Sequence, residues 1–147
     1  MITITKNTKV WDALKKDLLK QASKNLELHA GFFEESVYPD GLQVAQVAKW
    51  NNEGHALNNV PPRPFFTVTV VDKLERDTKA AMFKDNIERI LSGKSSFAKE
   101  YTLIGTKMVA DLKKSIEDWS IPPNSPTTIA IKGFNDPLVD TELMKEE

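Results

Sequence analysis

The segment Pro61-Pro62-Arg63-Pro64-Phe65-Phe66 constrains the fold of this chain more than any other stretch. Proline fixes its own φ angle, lacks a backbone donor and pushes the preceding residue into extended geometry. Three prolines within four residues therefore exclude an ordinary helix interior or a central strand. We expect a stiff arm that holds Arg63 away from the body of the protein, with Phe65 and Phe66 anchoring the next segment of the chain. Such an arm suits docking onto another protein better than turnover of a small molecule.

Length and composition indicate one globular domain spanning residues 1–147. Hydrophobic residues make up 40% of the chain and charged residues 28%, which is ordinary for a domain with a core of its own. The absence of cysteine excludes disulfides, thiolate metal sites and cysteine nucleophiles, and it fits synthesis in a reducing cytoplasm. No apolar run approaches the roughly 18 residues of a membrane span. Residues 1–6 lack the apolar stretch of a secretory signal, so we expect no membrane partner.

The net charge of −1 predicts no specific nucleic-acid partner, but the charge is unevenly distributed. Residues 1–27 carry six lysines and three acids, whereas residues 134–147 carry five acids and one lysine. Opposite charge at the two ends could steer one subunit onto the next in a ring. Two solvated termini, the last a short acidic tail from about residue 142, are the alternative explanation. The lysines of the first predicted helix are interpreted as a solvated face, because no aromatic residue interleaves with them to stack on bases.

Hydrophobic periodicity predicts four helices. They cover residues 8–24, 42–52, 72 or 78 to 91, and 96–119. The residues expected to face inward are Trp11, Leu14 and Leu18 in the first helix, Phe83, Ile87, Ile90 and Leu91 in the third, and Val109, Leu112, Ile116 and Trp119 in the fourth. Gly105 interrupts the last helix at a cost of about 1 kcal/mol relative to alanine, so a close packing contact or a break is expected there.

Alternating and β-branched residues predict short strands at residues 2–4, 26–30 and 127–132. Residues 66–71 fit either a strand, by propensity, or a lead-in to the following helix. A turn is expected at Tyr38-Pro39-Asp40-Gly41, and residues 121–126, which contain three prolines, form a second rigid connector. The predicted fold class is therefore α+β, with a small, mostly antiparallel sheet packed against two or three amphipathic helices.

Residues that could carry chemistry are sparse. His29 and His55 could meet Asp40 or Glu53 at a metal site, because imidazole and carboxylate suit zinc or iron, but no paired-ligand spacing is present. The glycines form neither a dinucleotide-binding nor a Walker pattern, and no Gly-x-Ser-x-Gly motif occurs. We therefore predict no catalytic, cofactor-binding or metal-binding residues and no cofactor.

A set of motifs in a fixed order adds information that single residues do not. In chain order these are Gly31-Phe32-Phe33, Tyr38-Pro39-Asp40-Gly41, Val44-Ala45 with Val47-Ala48, Asn52-Glu53-Gly54, Pro61 to Phe66, Ser125 to Ile129, Lys132-Gly133 and Pro137 to Thr141. This order resembles the neck, or tail-completion, protein family of long-tailed bacteriophages and prophages, to which minor tail protein Z is distantly similar. The chain departs from the family in two places. Glu53 and Gly54 are adjacent, where relatives place an aromatic or similar residue between them, and Asp140-Thr141 runs into Glu142 where relatives have glycine.

The resemblance implies a virion structural protein without catalytic residues. It would assemble as a ring, expected to be a hexamer, at the head-proximal end of the tail. Its neighbours would be a head-closing connector or stopper protein and a tail terminator or tail tube protein, and DNA would pass through the channel without specific binding. A terminator or stopper of the same assembly, a small hydrolase on a mobile element, and a cytoplasmic oligomeric adaptor are the alternatives.

The residues expected to make the subunit contacts lie in and near the proline arm. Arg63 is predicted to pair with a carboxylate or carbonyls of a neighbour, because guanidinium forms planar bidentate hydrogen bonds. An intramolecular bond to a helix C-terminus or to Glu53 is the alternative. At least one of Phe65 and Phe66 is expected in the subunit's own core. The complete predicted interaction set is Trp50, Glu53, Pro62, Arg63, Pro64, Phe65 and Phe66, with Trp50 assigned equally to core or interface.

Overall fold

The computed structural model describes residues 8–24, 27–72, 76–139 and 144. It is 60% helical, with 3% strand. The helices are α1 (Thr8–Ala22), α2 (Val44–Glu53), the short α3 (Phe65–Thr67), α4 (Arg76–Leu91), α5 (Phe97–Asp118) and α6 (Pro126–Lys132). A 3₁₀ turn (Ala56–Asn58) follows α2, and a π-helical turn (Val68–Asp72) continues α3. The four helices predicted from periodicity are confirmed, with ends shifted by a few residues.

The chain divides into two compact units. The first comprises residues 1–29 and 76–105, and the second comprises residues 30–75 and 106–147. Helix α5 contributes its first nine residues, 97–105, to the first unit and the remainder to the second. The single domain predicted from chain length stays a prediction.

The first unit contains α1, α4 and the start of α5. Ser96 begins α5 as a capping residue, because its hydroxyl accepts a hydrogen bond from the Lys99 backbone N–H at 3.3 Å. Gly105 continues the helix without a break, and a Cβ atom there would lie 2.8 Å from Leu28 Cδ1. Of the two outcomes expected at Gly105, the close packing contact is therefore the one observed.

The prediction of which α4 residues face inward is largely wrong. Ile90 is buried, but Phe83, Ile87 and Leu91 are 46%, 51% and 46% exposed. On α1, Leu14 and Leu18 are half-buried, whereas Trp11 is 62% exposed. Apolar residues thus recur at helical spacing in both α1 and α4. Among the described residues, however, much of the apolar surface of these two helices is not covered by other side chains.

The second unit has a core built from distant parts of the chain. Phe65 lies at its centre and is 0% exposed. The other buried members are Val44, Ala48, Leu112, Ile116, Leu138 and Met144. Phe32 packs edge-on against Phe65, with ring centroids 6.2 Å apart, and lies 6.4 Å from the ring of Phe66. Leu112, Ile116 and Trp119 of the predicted α5 stripe pack in or against this core, as expected.

The predicted α+β class is wrong, because the described residues contain no sheet. Only two isolated antiparallel bridges occur in that part of the chain, Val37 with Gln43 and His55 with Val60. The first closes the predicted turn, in which the Gly41 N–H donates to the Tyr38 carbonyl at 2.8 Å. Residues 27–30 are irregular and pair with no strand. The strand predicted at residues 2–4 lies outside the described residues.

Two further segments with high β propensity are helical because local caps satisfy their backbone donors. At residues 127–132, Ser125 caps α6 by accepting the Thr128 N–H at 3.1 Å, Pro126 occupies the first turn, and Gly133 ends the helix with φ of 80°. At residues 66–71, the side-chain oxygen of Asn52 accepts the N–H groups that open α3. Side-chain capping therefore outweighs strand propensity in both places.

Candidate interaction site around Arg63

Arg63 forms the centre of a hydrogen-bond network that joins the two proline-rich segments. Its Nε donates to the Pro122 carbonyl at 3.0 Å and its Nη2 to the Pro123 carbonyl at 3.4 Å. Its Nη1 donates to Asn51 Oδ1 at 3.3 Å, and its backbone N–H donates to the Asn51 carbonyl at 2.7 Å. The side chain is only 5% exposed. One guanidinium thus holds the end of α2, the first proline segment and the second proline segment together.

The prediction that the arm projects Arg63 away from the protein is therefore wrong. The observed geometry corresponds to the intramolecular alternative, although the partners are Asn51 and two proline carbonyls instead of Glu53. Burial lowers the pKa of the Arg63 guanidinium from its ordinary value, but arginine keeps its charge at neutral pH. Its acceptors among the described residues are all neutral oxygens. The proline residues stiffen a segment that packs inward instead of outward.

The two phenylalanines after Pro64 have different surroundings. Phe65 is fully buried, which confirms that at least one of the pair belongs to the subunit's own core. Phe66 is half-buried and lies against Gly31, where an added Cβ would be 3.6 Å from Phe66 Cε2. The backbone N–H groups of Phe66 and Thr67 donate to Asn52 Oδ1 at 3.1 and 3.2 Å. The end of α2 therefore supplies the cap for the start of α3.

The remaining predicted interaction residues lie at different depths. Trp50 is half-buried and stacks on His55, with ring centroids 4.8 Å apart and an interplanar angle of 30°. Glu53, Pro62 and Pro64 are exposed. Within the predicted set these three are the most exposed, and their role as interaction residues stays a prediction.

Gly54 links α2 to the proline segment through a close backbone approach. Its φ is 84°, and an added Cβ would lie 3.0 Å from the Pro62 nitrogen. A side chain at this position would meet both an unfavourable backbone conformation and a steric contact with backbone. The glycine is therefore required by the path of the chain, which turns here to place Arg63 beside Asn51.

A cavity of about 660 Å³ lies beside Arg63. Its walls include Tyr38, Asp40, Asn124, Lys132 and Leu138. Asn124 is 9% exposed, and its Nδ2 has no hydrogen-bond partner among the described residues. The Lys132 ammonium donates to the carbonyls of Asp136 and Val139, which fixes one wall.

Hydroxyl side chains also line the cavity. The hydroxyls of Ser125 and Thr128 in its wall bond to each other at 2.8 Å, and no histidine is among the described residues that line it. Elsewhere, the Ser96-x-x-Lys99 spacing matches a motif of serine acylases, but the Ser96 hydroxyl serves as the α5 cap. The described residues contain no group of three or more His, Asp or Glu placed to hold a metal ion.

A second buried charge lies in the first unit. The Glu100 carboxylate is 1% exposed and forms an ion pair with Arg89, whose Nε lies 3.3 Å from Glu100 Oε1. Within the described part of the chain, neither carboxylate oxygen has a hydrogen bond of good geometry. One arginine pairing is a structural arrangement and does not by itself form a reactive site.

Sequence reasoning missed the two residues that organise the Arg63 network, Asn51 and Asn52. The sequence did contain a partial indication of their role, since adjacent asparagines lie at the end of a predicted amphipathic helix, shortly before a glycine and a proline segment. Asparagine commonly bonds to nearby backbone in such positions. The missing information was which distant carbonyls and N–H groups would lie within reach.

These observations define a helical protein whose second unit is organised by an internal arginine–asparagine network. None of the described helices combines the length and apolar character needed to cross a membrane. No protein-family model, curated protein or solved structure matches the chain. The resemblance to neck proteins therefore rests on the ordered motif residues themselves.

Proposed function

We propose that this protein is a virion structural protein of a phage neck, which assembles as a ring at the head-proximal end of the tail and joins the head connector to the tail. The observation that supports this most is the convergence of the ordered motifs. Segments more than 90 residues apart in the sequence, from Phe32 to Leu138, line one core and one cavity of the second unit. The motif residues therefore act together as one structural assembly.

The chemistry of these residues favours a building block over an enzyme. Arg63, Asn51 and Asn52 use their polar groups on backbone and amide partners of the same chain. Gly54 and Phe65 are explained by backbone path and core packing. A motif set whose members hold a fold together is what a structural subunit requires.

The proposed ring places two demands on the chain. A ring contact is heterologous, so each subunit presents two different surfaces to its neighbours. The channel must let DNA slide, and a net charge of −1 avoids strong attraction to phosphates. The proposed neighbours along the tail axis are a head-closing connector or stopper and a tail terminator or tube protein. The subunit would be made in the host cytoplasm before incorporation into the virion.

Deletion of the gene from a phage or prophage that encodes it tests the proposal. We expect lysates to contain filled heads and separate tails that do not unite, seen by negative-stain electron microscopy. Supplying the wild-type gene in trans should restore joined, infectious particles, which controls for effects on neighbouring genes. Normal yields of intact virions from the deletion would refute the proposal.

Imaging of the purified neck separates this position from the adjacent ones. We expect cryo-electron microscopy to locate the chain between the head-closing protein and the terminator. Density for this chain as the last ring of the tail itself, or as the plug that closes the head, would reassign it to a terminator or stopper.

A further inference from the structure

The first unit carries an apolar groove of about 330 Å³ that is separate from the Arg63 network. It lies between α1 and α4 and also contacts the start of α5. Its lining residues include Trp11, Leu14, Leu18, Leu19, Ile87 and Leu91. Trp11 and Leu19 are 62% and 61% exposed, and Ile87 is 51% exposed.

Such a groove is unfavourable in a subunit that stays alone. Exposed apolar surface is unfavourable relative to burial, and contiguous patches of this kind mark interaction sites. The only charged residue among the described residues that line the groove is Lys15. On the same helix, Lys16 and Lys20 are exposed, together with Asp12 and Asp17. An occupant should therefore combine large apolar side chains with negative charge.

One exposed segment of the second unit has this composition. Phe33 is 49% exposed and Val37 is 52% exposed, and the two exposed acids Glu34 and Glu35 lie between them. No lysine or arginine occurs from residue 30 to residue 48. The segment thus offers apolar anchors and negative charge within five residues.

The ends of this segment are fixed in place. At its start, Gly31 lies against the Phe66 ring, and Phe32 packs on Phe65. At its end, Val37 bridges to Gln43, while the Ser36 carbonyl accepts the Val44 N–H at 2.9 Å. A preformed loop loses less conformational entropy on binding than a free peptide does.

We infer that the α1–α4 groove of one copy binds the Phe33–Val37 loop of a second copy. Phe33 enters among the Trp11, Leu19 and Ile87 side chains, and Glu34 and Glu35 face the lysines of α1. The acidic C-terminal tail is a poorer occupant, because Met144 is 5% exposed within its own core. The two surfaces differ, so the contact is heterologous and repeats from copy to copy. The inference adds a specific contact to the proposed ring assembly. That repeated contacts close into a ring rests on the proposed function.

Sedimentation of purified full-length protein tests the contact with surface variants. We expect wild-type protein to form larger species as concentration rises, and Trp11→Ser and Phe33→Ser each to remain monomeric. An equimolar mixture of the two variants should give dimers and nothing larger, because only one intact groove and one intact loop remain in each pair. Leu57→Ser is the matched control, since Leu57 is 89% exposed and lies outside both surfaces.

Circular dichroism of each variant shows whether it is folded. If Trp11→Ser is unfolded, Leu19→Ser replaces it in the same mixing experiment. A wild-type protein that is monomeric at every concentration overturns the inference. So does wild-type association that survives Phe33→Ser, which would mean that the groove receives a different segment or a different protein.

Charge reversal supplies a second, independent measurement. Lys15→Glu, and Glu34→Lys combined with Glu35→Lys, should each weaken association roughly two- to fivefold at low salt. All three changes in one chain should restore association, because the charges on the two surfaces are then exchanged and still attract each other. Weakening without restoration contradicts the proposed pairing.

These measurements use purified protein and are separate from the virion test. Intact virions after gene deletion would refute the neck function and leave the self-association unaffected. Monomeric wild-type protein would refute the groove–loop contact. The neck function would still be decided by the phenotype of the gene deletion.

Discussion

Arg63 shows how one side chain can fix segments that are distant in sequence. Its Nε reaches a carbonyl 59 residues along the chain, while its Nη1 reaches the side chain of Asn51. Guanidinium can do this because its donors point in several directions within one plane. The lysine ammonium concentrates its donors at one point and cannot reach the same three acceptors.

We therefore predict that Arg63→Ala destabilises the second unit by about 2–4 kcal/mol and that Arg63→Lys restores only part of the loss. The partly buried oxygens of Pro122 and Asn51 and the Pro123 carbonyl would lose their donor. Urea unfolding followed by tryptophan fluorescence in a Trp11→Phe background measures this. In that background the emission comes from tryptophans of the second unit.

Lys49→Ala is the control for Arg63, because Lys49 is an exposed cation on α2 of the same unit. An equal and small effect of the two alanine variants would contradict the structural role assigned to Arg63.

Asn52 provides a second prediction at the scale of single residues. Its Oδ1 accepts the backbone N–H groups of Phe66 and Thr67, so Asn52→Ala should cost about 1–2 kcal/mol, the usual value of a helix cap. Asn52→Asp keeps the acceptor and should be nearly neutral. Chemical denaturation of both variants checks the difference. If aspartate is as destabilising as alanine, the cap is not the source of the effect.

At the scale of elements, α6 illustrates the competition between propensity and capping. The sequence Thr127-Thr128-Ile129-Ala130-Ile131 favours a strand by composition, yet Ser125 and Pro126 precede it and Gly133 lies just beyond it. These flanking residues cap a helix at both ends. A lone strand without a neighbour would leave its backbone groups unpaired.

Removing the α6 cap should therefore lower stability more than removing a neighbouring hydroxyl. We predict that Ser125→Ala costs about 1 kcal/mol, because the Thr128 N–H loses its acceptor. Thr127→Ala is the matched control, since Thr127 is exposed in the same helix, and it should be neutral or slightly stabilising. Thermal unfolding compares the two variants, and equal losses would argue against the cap.

At the scale of the whole molecule, the core of the second unit joins residues separated by most of the chain. Met144 belongs to the same buried cluster as Val44 and Leu112, and it is 5% exposed. Solvated termini were one explanation of the charge asymmetry, but this part of the C-terminal region is anchored in the core. The C-terminal region therefore has a fixed point on the second unit.

We predict that Met144→Ala destabilises the protein by about 2–4 kcal/mol, whereas Met144→Leu costs less than about 1.5 kcal/mol because it conserves volume. Urea denaturation of the full-length variants measures both effects. Comparable, near-zero losses would show that residue 144 adds little to the core.

Local backbone chemistry in the sequence determined where four helices run, where the chain turns at residues 38–41 and that two proline segments are stiff. These features depend on residues within one or two turns of each other, so periodicity and turn residues suffice to predict them. The tertiary structure decided which apolar faces are covered, whether β-prone segments pair, and that Arg63 points inward. Those outcomes depend on partners dozens of residues away, such as Pro122 and Pro123, whose distances from Arg63 no local pattern encodes.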